Sequence, residues 1–378
     1  MRQQKNPALI VGVGGCVAQQ EGERLLENIP HLDIVFGTHN VHKLPEMVQR
    51  VEQKQGRFQE TEFLDRETRL QLFPQRRGGE STNRFVTIMQ GCDNFCSYCI
   101  VPHVRGREIS RPSAGIVQEI IELAAEGVKE VTLLGQNVNS YGNRVEGELS
   151  FARLLESVAE IDGIERIRFT TSHPKDISDD LIDCFGRIDK ICKHIHLPVQ
   201  CGSDRILKLM NRGYSRAQYL DKISRLKSAC PEVRVTTDII VGFPGETDVD
   251  FDETLSMVET VGYADAFMFY YSARPGTSAA ELEDDLKLDV KQQRFDTLLK
   301  LQQETSRRIW AQDVGSILPV LVEGESREGA GYLCGRTDWN RLVKFKGGEG
   351  LIGTIVPVLI VESNRSAQAG ELVSQKTK

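Results

Sequence analysis

The chain has 378 residues, 40% hydrophobic and 27% charged, enough for two or three domains of an ordinary soluble globular protein. A formal net charge of −7 argues against a strongly basic nucleic-acid binder while leaving room for local basic patches. No stretch reads as membrane-spanning, and the polar start from Met1 to Pro7 shows no signal or transit peptide. The nine cysteines, an odd number, therefore fit a reducing cytoplasm where thiols stay free for metals.

Residues 1–52 read as strand (Ala8–Val13), helix (Gln20–Asn28), strand (Ile34–Phe36) and helix (Leu44–Val51), part of an incomplete doubly wound α/β domain. The run Gly12-Val13-Gly14-Gly15-Cys16 lacks the glycine spacing and acidic ribose contact of a nucleotide loop. Residues 53–80, dominated by Lys, Arg, Glu and Gln and closing near Gly78-Gly79, read as a linker.

From residue 81 to 312 apolar strands alternate with helices, the signature of βα units on a parallel sheet and of a partial (βα)6 barrel. The predicted strands are Phe85–Met89, Glu130–Leu134, Arg166–Thr170, Lys193–Leu197, Arg234–Val241 and Ala266–Tyr271, rich in apolar or β-branched residues as burial on both faces demands. Helices are expected at Ala114–Glu126, with Ser113 as N-cap and Gly127 as stop, and at Ser150–Ile161, Ser178–Phe185, Arg216–Ser228 and Asp250–Val261.

The loop after the first of these strands holds Gly91-Cys92-Asp93-Asn94-Phe95-Cys96-Ser97-Tyr98-Cys99. Segments of four and three residues span at most roughly 14 and 10 Å, ample slack to wrap a small cubane. Three thiolates without a fourth leave one iron of such a cluster open to another ligand, which points to chemistry rather than electron storage. A zinc site, with His103 the one near further candidate, and ordinary buried cysteines remain alternatives. Reactive groups of such folds gather on loops after the carboxyl ends of strands. Here those loops carry Gly135-Gln136-Asn137, Thr171-Ser172-His173-Pro174, Gln200-Cys201-Gly202-Ser203, Gly242-Phe243-Pro244-Gly245-Glu246 and Ala273-Arg274-Pro275-Gly276-Thr277, with Asp238 on the fifth strand.

A helix from Val290 to about Gln312 is expected to dock a last domain, residues 313–378. There the short alternating segments Leu318–Glu323, Gly331–Arg336, Leu342–Phe345 and Thr354–Glu362 predict a small antiparallel β-barrel. Its eight Lys plus Arg balance eight Asp plus Glu, so a basic face must come from arrangement. Arg336, Arg341, Lys344 and Lys346, interleaved with Trp339 and Phe345, form the best cluster for phosphate and base contacts, against the bland reading of a solvated sheet edge.

The stretch from Gln90 through Cys92, Cys96 and Cys99 to Pro102, with Arg105-Gly106-Arg107 and Ser110-Arg111-Pro112, resembles the cluster loop of the radical S-adenosylmethionine methylthiotransferases, in particular their MiaB branch. The motifs Leu134-Gly135-Gln136-Asn137-Val138-Asn139, His196-Leu197-Pro198-Val199-Gln200, Asp238 to Thr247, Tyr271 to Thr277, Leu321-Val322-Glu323-Gly324 and Gly335-Arg336-Thr337 point the same way. The resemblance runs from about Pro7 to about Leu372, and it implies an N-terminal domain with three cysteines, a radical-SAM partial barrel and a C-terminal TRAM domain. Cys92, Cys96 and Cys99 would hold a 4Fe-4S cluster that binds S-adenosylmethionine, with Gln136, Asn137, Gln200 and Asp238 as candidates to grip the cofactor. One electron would cleave the sulfonium, and the adenosyl radical would take hydrogen from carbon 2 of an adenine. A second S-adenosylmethionine would methylate sulfur at an auxiliary cluster.

The implied target is N6-isopentenyladenosine at position 37 of tRNA, splayed from the anticodon loop. Arg105, Arg107 and Arg111 would meet phosphates near the cluster, and Arg336, Arg341 and Lys344 would meet the RNA on the last domain. An electron donor such as flavodoxin or ferredoxin and a sulfur donor are implied as partners, with no membrane. Two departures stand out. Cys201 replaces the usual Ser, a change tolerated unless its site is crowded. Of the three auxiliary-cluster cysteines only Cys16 is present, so a chain truncated at its start is expected, able to cleave S-adenosylmethionine and impaired in attaching sulfur. The rivals are methylthiolation of threonylcarbamoyl-adenosine or of a ribosomal-protein aspartate, and a non-catalytic RNA-binding metalloprotein.

Overall fold

A computed structural model describes residues 6, 8–73, 81–329 and 331–373. Gly78, Gly79, Lys376 and Lys378 lie outside the described residues. The chain divides into two compact units, Met1–Gln75 with Gln90–Phe95 and Cys99–Arg111, and Arg76–Met89 with Cys96–Tyr98 and Pro112–Lys378.

In the first unit, strands β1 (Gly12–Gly14), β2 (Ile34–Phe36) and β3 (Phe58–Glu60) form a parallel sheet in that order. Ala18, Leu32 and Val35 form the centre of its small core. The sheet corrects the reading of 53–80 as a linker. Phe58–Glu60 pairs in register with Ile34–Phe36, and Arg66–Gln71 is a helix whose N-cap Asp65 accepts from Thr68 N at 2.8 Å. An edge strand of three residues needs only a partner, so its polar composition hid it. The first helix is also broken, into Cys16–Glu21 and Glu23–Asn28, because Gly22 between them takes φ +48°.

The second unit contains two three-stranded parallel sheets: β4 (Asn83–Thr87), β5 (Glu130–Leu134) and β6 (Arg166–Phe169), and β7 (His194–His196), β8 (Arg234–Val241) and β9 (Asp265–Tyr270) with β8 central. Ile167 N donates to Lys190 O at 2.8 Å and Cys192 N to Ile167 O at 3.0 Å, which joins β6 to the segment entering β7. The six strands thus run in chain order, as a partial (βα)6 barrel requires.

Side chains alternate across these strands. Val86, Val131, Leu133, Ile167, Phe169, Ile195 and Val235 face the outer helices, where Ile116, Ile120, Leu123, Leu154, Leu155 and Leu181 meet them in one core. Each such side chain contributes about 1.5–3 kcal/mol on leaving water. The other face is not buried throughout, contrary to the expectation of two-sided burial: Phe85 is 71% exposed, Phe267 59% and Phe269 51%.

Helix starts follow local chemistry. Ser150, Ser178 and Ser215 accept backbone N–H groups at their helix N-termini, and Ser215 with Gln218 and Thr247 with Asp250 close capping boxes. Ser113 is not a cap. Pro112 occupies that position and Ser113 begins the helix Ser113–Ala125, its N–H donating to Glu148.

The helix Leu288–Ala311 leads to a closed five-stranded barrel of β10 (Ile317–Glu325), β11 (Tyr332–Arg336), β12 (Leu342–Lys346), β13 (Ile355–Ser363) and β14 (Gln368–Leu372), in the order β10-β11-β12-β14-β13. Strand β14, absent from the sequence expectation, closes it by pairing parallel to β12 and antiparallel to β13. Val320, Val322, Val343, Phe345, Val358 and Ile360 fill its core.

This barrel is bonded to the amino ends of the larger sheet. Arg166 donates to Arg336 O (2.7 Å) and Pro319 O (2.8 Å), and Arg168 to Thr337 O (2.6 Å) and Asp338 O (2.7 Å). Arg234 pairs with Asp313 and lies over both Trp310 and Trp339.

Candidate active site and cluster loop

The carboxyl ends of β5 to β8 gather the predicted polar residues on tightly held backbone. Asn139 clasps the backbone of His173, its Oδ1 accepting from His173 N (2.9 Å) and its Nδ2 donating to His173 O (2.8 Å). Asn137 is buried, with Nδ2 donating to Asp176 at 2.7 Å and Oδ1 left without a partner. Gln136 is half-buried beside it. Gln200 sits at φ +69°, held there as its N–H donates to Asp238 O and its carbonyl accepts from Ile240 N. Asp238 faces His196 at 3.3 Å, and the His196 ring meets Phe267 edge-on with centroids 6.0 Å apart. Cys201 is fully buried against Thr254 Oγ1 (3.3 Å), and burial pushes its thiol up to about 12.

The cysteine loop is divided between the units. In the second, Ser97 N donates to Met210 O at 3.0 Å and Ala279 N to Ser97 O at 2.8 Å. These bonds anchor Cys96, which is buried. Arg212, itself 3% exposed, donates Nη1 to Cys96 Sγ at 3.2 Å, and His173 Nε2 stands 3.7 Å from the same sulfur. Burial, with Arg212, Lys175 and Lys222 nearby, drives the His173 pKa far below the usual imidazole value. Sequence reading placed His173 in a polar strand-end loop without giving it a role, and passed over Arg212 and the exposed Phe85, Phe267 and Phe269. Only the period-2 spacing of Phe267 and Phe269 could have announced a shared face.

In the first unit Cys92 and Cys99 are half-buried. Cys92 N donates to Gly106 O at 3.3 Å, and Asp93 accepts from Arg107 Nε at 2.7 Å and from Glu108 N at 3.2 Å. Gly91 at φ +79° has no room for a side chain, since a Cβ would fall 2.2 Å from Arg107 O. Arg105, expected on RNA, donates Nε to Cys16 Sγ at 3.3 Å, while its carbonyl accepts from His39 Nε2 and Arg69 Nη2. Arg107 is exposed and lies over the Phe95 ring; Arg111 is half-buried.

On the small barrel the predicted basic cluster comes apart. Phe345 is in the core. Arg341 is buried, donates to Asn364 O and lies over Trp310, so it is not available to a phosphate. Trp339 donates to Glu232 O at 2.9 Å and is covered by Arg234. Residue order set these side chains side by side, but strand alternation and docking turn them inward. Arg336, near Glu323, and Lys344, paired with Glu328 at 2.7 Å, remain at the surface with Lys346.

Among the described residues no three His, Cys, Asp or Glu side chains converge as a metal-holding group, and none of the nine cysteines is in a disulfide. The donor chemistry nonetheless fits an iron–sulfur cluster, with three cysteines outside any disulfide on one loop. Ser97 Oγ, Asn137 Oδ1, Ser172 Oγ and Tyr271 Oη are buried without partners among the described residues, polar capacity that suits a polar cofactor at this end of the sheet.

The Radical SAM superfamily profile matches residues 86–258 and the TRAM domain profile residues 311–373. The tRNA-2-methylthio-N(6)-dimethylallyladenosine synthase of Syntrophotalea carbinolica is 57% identical over 370 residues, 98% of this chain and 84% of the relative. That of Geotalea uraniireducens is 58% identical, over 97% and 83%. A solved radical S-adenosylmethionine methyltransferase, TsrM from Kitasatospora setae, superposes with a TM-score of 0.55 at 16% identity over 72% of this chain and 57% of that one, a likeness of fold. With more than half its residues shared across nearly its whole length, the chain belongs to the tRNA-2-methylthio-N(6)-dimethylallyladenosine synthase family of the radical SAM superfamily.

Proposed function

We propose that this chain attaches a methylthio group to carbon 2 of N6-isopentenyladenosine at position 37 of tRNA, in the cytoplasm, by radical S-adenosylmethionine chemistry. The identity of 57% over 370 residues to a synthase of that name carries the reading. Cys92, Cys96 and Cys99 would hold a 4Fe-4S cluster, which when bound supplies the electron that splits S-adenosylmethionine.

The chain's own task is to orient and to exclude water. Asn137 offers an unused acceptor and Gln200 a fixed backbone, while Gln136 and Asp238 add polar groups at the same strand ends. The exposed Phe267 and Phe269 on β9, and Phe85 on β4, offer apolar side chains that would suit a splayed adenine and its isopentenyl tail. Arg107 and Arg111 on the loop, with Arg336 and Lys344 on the small barrel, would meet RNA phosphates. Cys16 is the candidate auxiliary-cluster ligand, and the electron donor, a flavodoxin or ferredoxin, and the sulfur donor come from outside. No helix among the described residues is long and apolar enough to cross a membrane.

Mass spectrometry of tRNA nucleosides from a strain lacking the gene tests the proposal. The methylthio-isopentenyladenosine should vanish and isopentenyladenosine accumulate. Unchanged methylthio-isopentenyladenosine, or loss of methylthio-threonylcarbamoyl-adenosine instead, would refute it.

A further inference from the structure

Arg212 presents a problem of charge. Its guanidinium is buried, and its partners are Pro198 O (2.7 Å), Tyr214 Oη (3.1 Å), Tyr98 Oη (3.4 Å) and Cys96 Sγ (3.2 Å). None of these is a carboxylate. A buried cation without a counter-charge costs several kcal/mol, so a built site of this kind calls for an anion. The one partner able to supply it as a metal ligand is the sulfur of Cys96, since thiols coordinate as thiolates.

His173 is arranged toward the same atom. Its Nδ1 accepts from Lys175 N at 3.2 Å, which places the ring proton on Nε2, and Nε2 is the nitrogen 3.7 Å from Cys96 Sγ. Asn139 fixes the His173 backbone, and the Lys175 N–H bond to Nδ1 orients the ring. Two N–H groups, one of them cationic, therefore point at a single ligand sulfur.

We infer that Arg212, seconded by His173, is a positioning residue that tunes the cluster through Cys96, raising its reduction potential; the inference rests on the cluster reading of the cysteine loop. Hydrogen bonds to cluster sulfurs and nearby charge are established levers on potential. Reduction adds a negative charge to the cluster, and a fixed guanidinium at the ligand sulfur favours that state.

The test is a potentiometric titration, followed by electron paramagnetic resonance, of the anaerobically reconstituted full chain. It is run without S-adenosylmethionine, and all arms carry Cys16→Ala so that one cluster gives the signal. At the potential where the parent is half reduced, Arg212→Met should lower the reduced-to-oxidised ratio about tenfold, which for one electron is about 59 mV. His173→Phe should move it the same way by less, and Arg212→Lys should stay nearer the parent. If Arg212→Met fails to load about four irons, Arg212→Lys and His173→Phe decide by the same direction of shift.

An unchanged ratio in iron-loaded variants overturns the inference. Unchanged potential with weakened S-adenosylmethionine binding does so too, and would make Arg212 an anchor for the cofactor's carboxylate. A parent that takes up zinc and no iron instead defeats the cluster reading itself.

Discussion

Replacing Arg168 by Met would test how the small barrel is fixed to the larger sheet. Arg168 and Glu130 are almost fully buried and paired at 2.8 Å, and the two Nη groups of the same guanidinium donate to the carbonyls of Asp338 and Thr337. Methionine keeps much of the volume but strands Glu130, whose Oε2 already lacks a partner. Breaking a buried pair from one side costs about 3–5 kcal/mol, and each charged hydrogen bond lost to a carbonyl about 1.5–3 kcal/mol, terms that overlap rather than add. A loss of about 4 kcal/mol or more is expected. The chain's two tryptophans, Trp310 and Trp339, both lie against Arg234 in this seam, so intrinsic fluorescence during urea denaturation reports on it directly. Adding Glu130→Gln removes the stranded charge and should restore part of the loss. A single variant within about 1 kcal/mol of the parent, or a double variant no better than the single, would refute the reasoning.

Gly91→Ala should destabilise the cysteine loop by about 3 kcal/mol, from positive φ and from a Cβ forced onto Arg107 O, and lower the iron bound after reconstitution; full iron content would count against it. Burial pushes the thiols of Cys192 and Cys201 up to about 12, so iodoacetamide at pH 8 should leave both intact in the native chain, while Cys334, whose thiol burial also raises but which is only half-buried, should react slowly, as peptide mapping would show. Cys201→Ser, placing a hydroxyl within reach of Thr254 Oγ1 and Ser203 N, should change stability by less than about 1 kcal/mol in thermal melts. Burial opposes ionisation of Asp250, yet Arg205, Ser203 and Thr247 hold its carboxyl well below the usual range. A depressed folded pKa stabilises fully above the unfolded value of about 4 and less as pH falls below it. The stability gap between the parent and Asp250→Asn should therefore shrink from pH 4 downward, and a gap constant to pH 2 would contradict the assignment. Lys344 is paired with Glu328 whereas Lys346 lies over the Tyr332 ring, so Lys346→Ala should reduce the salt dependence of tRNA binding more than Lys344→Ala does.

What the sequence disclosed follows from how each feature is encoded. Strands β5 and β8 were legible to the residue because a dense apolar run between turn signals has few other readings. The cysteine loop stands out in the sequence because its spacing is local. Strand β3 and strand β14 were not, since both owe their existence to partners far along the chain. Alternation does hold the clue to Phe345, flanked by Lys344 and Lys346 in a strand where one face must be core, but nothing local says that Arg341 turns onto Trp310. Arg212 was invisible for the same reason. Its meaning is its distance to a sulfur 116 positions earlier.

The two ends of the parallel strands carry different duties, and the sheet itself separates them. Arg166, Arg168 and Arg234, at or near the amino ends of β6 and β8, are committed to the small barrel and its docking helix. The buried, unpartnered oxygens of Asn137 and Ser172, and Gln200 with its positive φ, lie past the carboxyl ends. Strand β8, eight residues long, rises about 3.3 Å per residue, so roughly 23 Å lies between those ends. On the proposed reading, an RNA held at Lys346 would run the length of a strand before a base entered at the far end. Arginines buried in a strand are costly, and here they tie the small barrel firmly to the strands whose far ends carry the proposed site. That gives a physical reason for a sheet whose inner face is charged at one end and open and aromatic farther along.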